Sequence, residues 1–220
     1  MSVFLEKELI NAGYELEVLH DQVLVVKNFL QKEELEVILK IIDTTPDEDW
    51  WIEYTKNLSR FCMEKFGRDD VDNLVAEGKF EITQGWQDKN LDVTHHEIST
   101  ILQKRLGSLI RLSNSHLQLS GFGTFQRMQQ GVELKAHTDQ DTDPSIEYAA
   151  ILYLNDDYKD GTLFFKNKEG SDLRPVPGTL LLFPGNAEYE HGVRPVGEGP
   201  IRYVTVGFIS VKDFYKDNKY

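Results

Sequence analysis

Three residues in the second half of the chain have types and spacing suited to metal chemistry: His137, Asp139 and His191. On an extended segment the side chains at i and i+2 leave the same face. His137-Thr138-Asp139 can therefore aim an imidazole nitrogen and a carboxylate oxygen at one point. His191 lies in a Gly/Pro-punctuated segment between two apolar runs and is placed to supply a third donor. Two histidines and one carboxylate form the facial set that holds non-haem Fe(II) with coordination positions left open. Zinc accepts the same donors but cannot cycle between oxidation states. Arg202 interrupts a strand-like run whose same-face neighbours Val204, Val206 and Phe208 are apolar. A guanidinium turned toward a core needs an anion, and its planar fork suits a carboxylate. That anion is either a structural Asp or Glu, or the far carboxylate of a small diacid whose other end chelates the metal.

Each of these residues has a plainer reading. A single histidine is more often a hydrogen-bonded core residue than a ligand, and Asp139 opens an acid-rich run with Asp141 and Asp143 that could be a solvated turn. Calcium at that run is disfavoured, because the glycine and distal glutamate of an EF-hand loop are missing. The joint pattern, with Arg202 turned toward the same core, favours a metal site. His95 and His96 need no metal, since Thr94-His95-His96-Glu97 has the form of a helix-capping box. His20 and His116 sit at the edges of strand-like runs, and Cys62 reads as packing among aromatics.

The elements that must position these residues are legible as a change of period. Residues 1–19 suggest a short helix or arm. Val23-Leu24-Val25-Val26 suits a buried strand, and Leu35, Ile38, Leu39 and Ile42 recur at helical spacing on a charged cylinder. A second helix is predicted over 48–66, carrying Trp50, Trp51, Tyr54, Leu58, Phe61 and Phe66 as packing residues. Residues 67–93 are polar and poorly periodic, with a short strand predicted at Phe80-Glu81-Ile82-Thr83. A third helix has Ile98, Ile101, Leu102, Leu106, Leu109 and Ile110 as its stripe. From His116 onward the period becomes that of strands, over 116–129, 132–138, 147–155, 162–166, 179–183 and 201–210, separated by glycine and proline turns. Many short strands imply a closed or two-sheet β architecture. The expected fold is mainly β with flanking helices: a double-stranded β-helix, or distorted jelly roll, with N-terminal helices packed on one sheet and the site inside one open end.

With 220 residues and 40% hydrophobic composition the chain suits one domain over 1–220, with 1–115 supporting a catalytic core at 116–210. A net charge of −13 disfavours a nucleic acid backbone as partner. No apolar run approaches the ~18 residues that would span a bilayer, so no membrane partner is expected. One cysteine cannot form an internal disulfide, and the first residues lack a basic region followed by a long apolar core, so a cytoplasmic, reduced location is expected.

The chain resembles the Fe(II)/2-oxoglutarate oxygenase superfamily and, within it, the prolyl 4-hydroxylase branch. The resemblance runs over roughly 117–210 and rests on Gly131 through Asp139, Ala150 through Asn155, Gly161-Thr162-Leu163-Phe164, Pro177 through Pro184, and His191 through Val196 followed by Arg202. It implies that His137, Asp139 and His191 hold iron, that Arg202 pairs with the C5 carboxylate of 2-oxoglutarate, and that Tyr153 adds a hydroxyl to the same group. It further implies O2 as oxidant, ascorbate as reductant, and hydroxylation of a C–H bond with release of succinate and CO2. Related halogenases lack the carboxylate at the second ligand position; Asp139 favours hydroxylation. The leading substrate is a prolyl residue of a protein or peptide, with a free amino acid or small molecule as the alternative, and a non-catalytic metal- and diacid-binding β-domain as a different class. In the family, the region matching 67–93 tends to cover the substrate entrance, which makes Trp86 a candidate substrate contact, with an ordinary anchoring role as the favoured alternative. Two departures stand out. A tyrosine common nine or ten residues before the first ligand is here Met128 or Arg127, and the usual Gly-Gly before Thr162 is Asp160-Gly161.

Overall fold

Strands β2 (Val23–Lys27), β8 (Ile146–Tyr153) and β10 (Leu180–Pro184) are apolar on both faces because both faces are covered. The computed structural model describes residues 3–52, 90–170 and 172–214. In chain order the remaining elements are α1 (Val3–Asn11), β1 (Glu15–Leu19), α2 (Lys32–Asp43), β3 (Trp51–Ile52), β4 (Asn90–Thr94) and α3 (His96–Ser113). They continue with β5 (Leu117–Ser120), β6 (Thr124–Met128), β7 (Leu134–His137), α4 (Asp139–Thr142), β9 (Leu163–Phe165), β11 (His191–Val193) and β12 (Arg202–Val211). The long sheet runs β1-β2-β10-β8-β12-β6-β4-β3, with β5 also paired to β12. The short sheet is β7-β11-β9. Pairing is antiparallel throughout both sheets.

Alternation along the strands separates two cores. Leu24, Val26, Ala150, Leu152, Leu180 and Leu182 face the helices and pack with Leu5, Leu9, Ile38, Ile42, Leu102 and Leu106. Val23, Val25, Ala149, Ile151, Tyr153, Leu181 and Phe183 face the other way, toward Leu163, Phe165 and Val193 of the short sheet. This second core lines the chamber that holds His191 and Arg202. The mainly-β, double-stranded β-helix architecture expected from the sequence is the one found, with the N-terminal helices on the outer face of one sheet.

Several local expectations are corrected. The start of the helix predicted over 48–66 is instead a 3-10 turn at Asp47–Asp49 followed by edge strand β3, which pairs with β4. Trp50, buried there, stacks under Arg127 and beside Tyr203, which explains its apolar setting without a helix. The rest of that helix, Cys62, the strand at Phe80–Thr83 and Trp86 lie outside the described residues. Strand β4 takes residues 90–94, whose first four were read as irregular; its register against β6 is set by tertiary pairing rather than by an apolar pattern. The capping box at Thr94–Glu97 does not form. Thr94 remains in the sheet with its hydroxyl on Thr124, and the helix begins one residue later with His95 at its cap and no side-chain capping bond. His95 instead bonds Thr45 at 2.8 Å. Glu34 accepts from the Gln31 N–H at 2.9 Å and pairs with Arg105, closing the start of α2.

Candidate active site

His137 ends β7 and His191 begins β11, and the two are register partners across that ladder. Partners on an antiparallel ladder project to the same face, so the imidazoles meet, with ring centroids 4.5 Å apart. Asp139 reaches them because Thr138 is extended (φ −113°, ψ 141°), which keeps the i, i+2 relation before the chain turns into α4. Thr138 caps that turn by accepting from the Asp141 N–H. Behind Asp139 stands Gly185, at which a Cβ would lie 3.2 Å from Asp139 Cβ and 2.9 Å from Ile146 Cγ2. The Gln140 N–H donates to Gly185 O at 3.1 Å and ties the turn to this close approach.

The ligand atoms are presented and left unbonded. His137 Nδ1 faces Lys135 O at 2.9 Å and His191 Nδ1 faces Tyr189 O at 3.0 Å, so each ring donates from Nδ1 and turns its Nε2 lone pair inward. Those Nε2 atoms stand 3.8 Å and 4.0 Å from Asp139 Oδ1, beyond hydrogen-bond reach. Asp139 Oδ2 is buried with no hydrogen-bond partner among the described residues. Burial pushes the Asp139 carboxyl up to about 7. Burial, and then the neighbouring His137, push His191 down to about 3, so it is neutral at physiological pH. Edge-on contact with Phe183, 4.6 Å between centroids, helps seat the His191 ring. Three inward donor atoms within 4.8 Å of one another, two of them held neutral or short of partners, fit a divalent cation. Among the described residues this is the one such cluster, and Asp141 and Asp143 do not join it.

Arg202, the first residue of β12, is 2% exposed. Among the described residues it pairs with no carboxylate: Nη1 meets Met128 Sδ at 3.0 Å, Nη2 reaches Tyr153 Oη at 3.5 Å, and Nε has no partner. Tyr153 is fully buried, and burial, more than the opposing pull of Arg202, raises its hydroxyl to about 12. A buried guanidinium that lacks a counter-ion and is flanked by a protonated phenol fits an incoming carboxylate. The residues at the two family departures are now placed. Met128 lies in the chamber on Arg202, whereas Arg127 points outward to Trp50 and Asp47, the latter at 2.7 Å. Asp160 and Gly161 both take positive φ, +51° and +59°, so aspartate adopts the left-handed turn where a glycine is usual. Sequence reasoning missed the buried hydroxyls of Tyr158 and Thr179, neither of which finds a partner among the described residues. Thr179 shares the parity of Leu181, which was a usable signal; Tyr158 lies beyond the end of β8, where no period applies.

Residues 123–210 match the 2OG-Fe(II) oxygenase superfamily. The matched segment contains all five residues named above, His137, Asp139, Tyr153, His191 and Arg202. Among curated proteins, prolyl 3-hydroxylase 3 of Mus musculus is 40% identical over 57 residues, 24% of this chain and 8% of the relative. The match thus spans a small part of that relative's length. Among solved structures, a prolyl hydroxylase from Trichoplax adhaerens, in complex with a hypoxia inducible factor oxygen degradation domain peptide fragment, aligns with a TM-score of 0.57 at 14% identity. That alignment covers all of this chain and 93% of the other. A viral collagen prolyl hydroxylase from Paramecium Bursaria Chlorella virus-1, in a 2OG complex, aligns with a TM-score of 0.53 at 15% identity, covering 87% and 97%. These likenesses establish a shared fold with 2OG-Fe(II) oxygenases. No helix among the described residues is long and apolar enough to cross a membrane.

Proposed function

We propose that this protein is an Fe(II)- and 2-oxoglutarate-dependent dioxygenase that hydroxylates a prolyl residue of a protein or peptide. The observation that carries the reading is the conjunction, in one chamber, of an inward His-Asp-His set and a buried arginine without a carboxylate partner among the described residues. When bound, Fe(II) with 2-oxoglutarate and O2 supplies the oxidation, which gives succinate and CO2 and places one oxygen atom in a C–H bond. His137 and His191 would hold the metal through Nε2, while their Nδ1 protons stay on backbone carbonyls, which fixes tautomer and ring angle. Asp139, as carboxylate, would complete the set of donors that holds the metal. Arg202 and Tyr153 bind the far carboxylate of the cosubstrate and orient its 2-oxo end toward the histidines. The apolar wall of Ile151, Leu181, Phe183 and Val204 keeps water from the chamber. Support for a prolyl substrate comes from the activities named for the similar proteins; ascorbate as reductant and a cytoplasmic location belong to the same proposal.

The test is an anaerobic titration with Fe(II) and then 2-oxoglutarate, following the visible charge-transfer band of a chelated 2-oxo acid, with His137→Ala alongside. Wild type should give the band and the variant should not. Air and a panel of proline-containing peptides then follow, with succinate release and the mass of one added oxygen as readouts. Iron binding without the band would sink the 2-oxoglutarate assignment. A band with turnover on free amino acids alone would replace the prolyl substrate by a small molecule.

A further inference from the structure

Resting on the 2-oxoglutarate reading above, we infer that Tyr158 is a further cosubstrate-binding residue, its hydroxyl donating to the far carboxylate beside Arg202 and Tyr153. Tyr158 is 1% exposed, and its Oη is buried without a hydrogen-bond partner among the described residues. A buried phenol without a protein partner is unfavourable, and such groups are uncommon in folded proteins. The location of this one is informative. Arg202 Cζ lies 6.0 Å from the Tyr158 ring centroid and 5.2 Å from that of Tyr153, so the two phenol rings flank one guanidinium. A Cβ built at Gly161 would stand 3.3 Å from Tyr158 Cε2 and 3.4 Å from Arg202 Cδ. The ring carbon next to the phenol carbon and the arginine stem therefore border the same point, together with Val196 Cγ2 at 3.1 Å, and a side chain at 161 would crowd all three.

The donor count closes on a carboxylate. Its two oxygens offer about four lone-pair sites. The Arg202 fork fills two and Tyr153 Oη a third, which leaves one for a hydroxyl that has no other use. The ring is also held in place: Arg174 stacks on it at 4.7 Å from the centroid and is itself fixed by donating to Asp156 O at 2.5 Å. Tyr158 thus presents a rigid donor, whereas Met128, on the other side of the guanidinium, offers only a weak sulfur acceptor.

The experiment compares wild type with Tyr158→Phe, metal-loaded and anaerobic, titrated with 2-oxoglutarate and with 2-oxobutanoate, which chelates identically but has no far carboxylate. Thermal melting of both metal-free proteins is measured in parallel. The variant should bind 2-oxoglutarate at least about tenfold more weakly, as expected for one hydrogen bond to a charged group. It should bind 2-oxobutanoate as wild type does, and its metal-free form should melt no lower than wild type, since the atom removed has no partner there. Equal changes for both acids, or no change for either, would overturn the assignment. So would a variant that fails to fold, because the hydroxyl would then belong to the scaffold. A wild type that binds Fe(II) but gives no band with 2-oxoglutarate is a different failure, one that removes the cosubstrate reading itself and the role of Tyr158 with it.

Discussion

His137 and His191 oppose each other as a cross-strand pair of β7 and β11, yet one side chain is 36% exposed and the other 5%. The two histidines are therefore unequal in what they do for the fold. His137→Ala should leave the melting of the metal-free protein within about 0.5 kcal/mol of wild type, as for a change at a half-exposed position. His191→Ala opens a hole beside Phe183 and should lower stability by about 2 kcal/mol or more. Both should abolish tight Fe(II) binding, measured by equilibrium dialysis. Retained binding in either would remove that histidine from the ligand set.

Asp139 and His191 give the metal-free protein opposed pH dependences. The Asp139 carboxyl, ordinarily near 3.8, titrates near 7 when folded, so its contribution to stability is present below about 4 and lost as pH rises through 7. His191, ordinarily near 6.5, titrates near 3 when folded; its contribution is present above about 6.5 and lost as pH falls toward 3. Asp139→Asn removes the first slope and keeps the second. The melting temperature of the variant relative to wild type should accordingly climb between pH 4 and 7. A gap that stays constant over that range would show that the buried carboxyl is not the titrating group.

Arg202→Met should raise the stability of the ligand-free protein, since replacing an unpaired buried cation by an apolar chain of similar length relieves its desolvation. The same change should leave Fe(II) affinity nearly intact and weaken 2-oxoglutarate by about a hundredfold, as expected for loss of a bidentate charged pair. Calorimetry reads both quantities. Unchanged 2-oxoglutarate affinity would take Arg202 out of the site.

Gly185→Ala places a methyl 2.9 Å from Ile146 Cγ2 and 3.2 Å from Asp139 Cβ. Overpacking of this kind destabilises by about 1 to 3 kcal/mol. Because Asp139 Cβ bears the carboxylate offered to the metal, Fe(II) affinity should fall as well, with a larger loss than in Gly107→Ala, where the added methyl meets only Arg111 Nη1 at 3.5 Å. Equal metal affinity in the two variants would show that Asp139 moves freely of its backing.

The His-Asp-His set and Arg202 were readable because each depends on local geometry: an i, i+2 pair, a turn between apolar runs, and one polar residue in an alternating strand. The strands from 116 onward were readable for the same reason. What escaped the sequence depends on distant partners. Strand β4 is a strand because β6 offers it a ladder, and Thr94 serves that ladder in preference to capping α3. Trp50 belongs to no helix because Arg127 and Tyr203, far along the chain, provide its packing. Tyr158 meets Arg202 from a loop that goes on into the left-handed pair Asp160-Gly161, a conformation with little periodic trace.

The division of β2, β8 and β10 between two cores makes adjacent residues answerable to different demands. Leu152 supports the helical layer and its neighbour Tyr153 serves the chamber; Leu180 and Leu181 are split in the same way. Inheritance can act on the two sets separately. The chamber-facing positions can be exchanged, and what the chamber accepts with them, while the helix-facing positions go on supplying the layer that lets the chain fold.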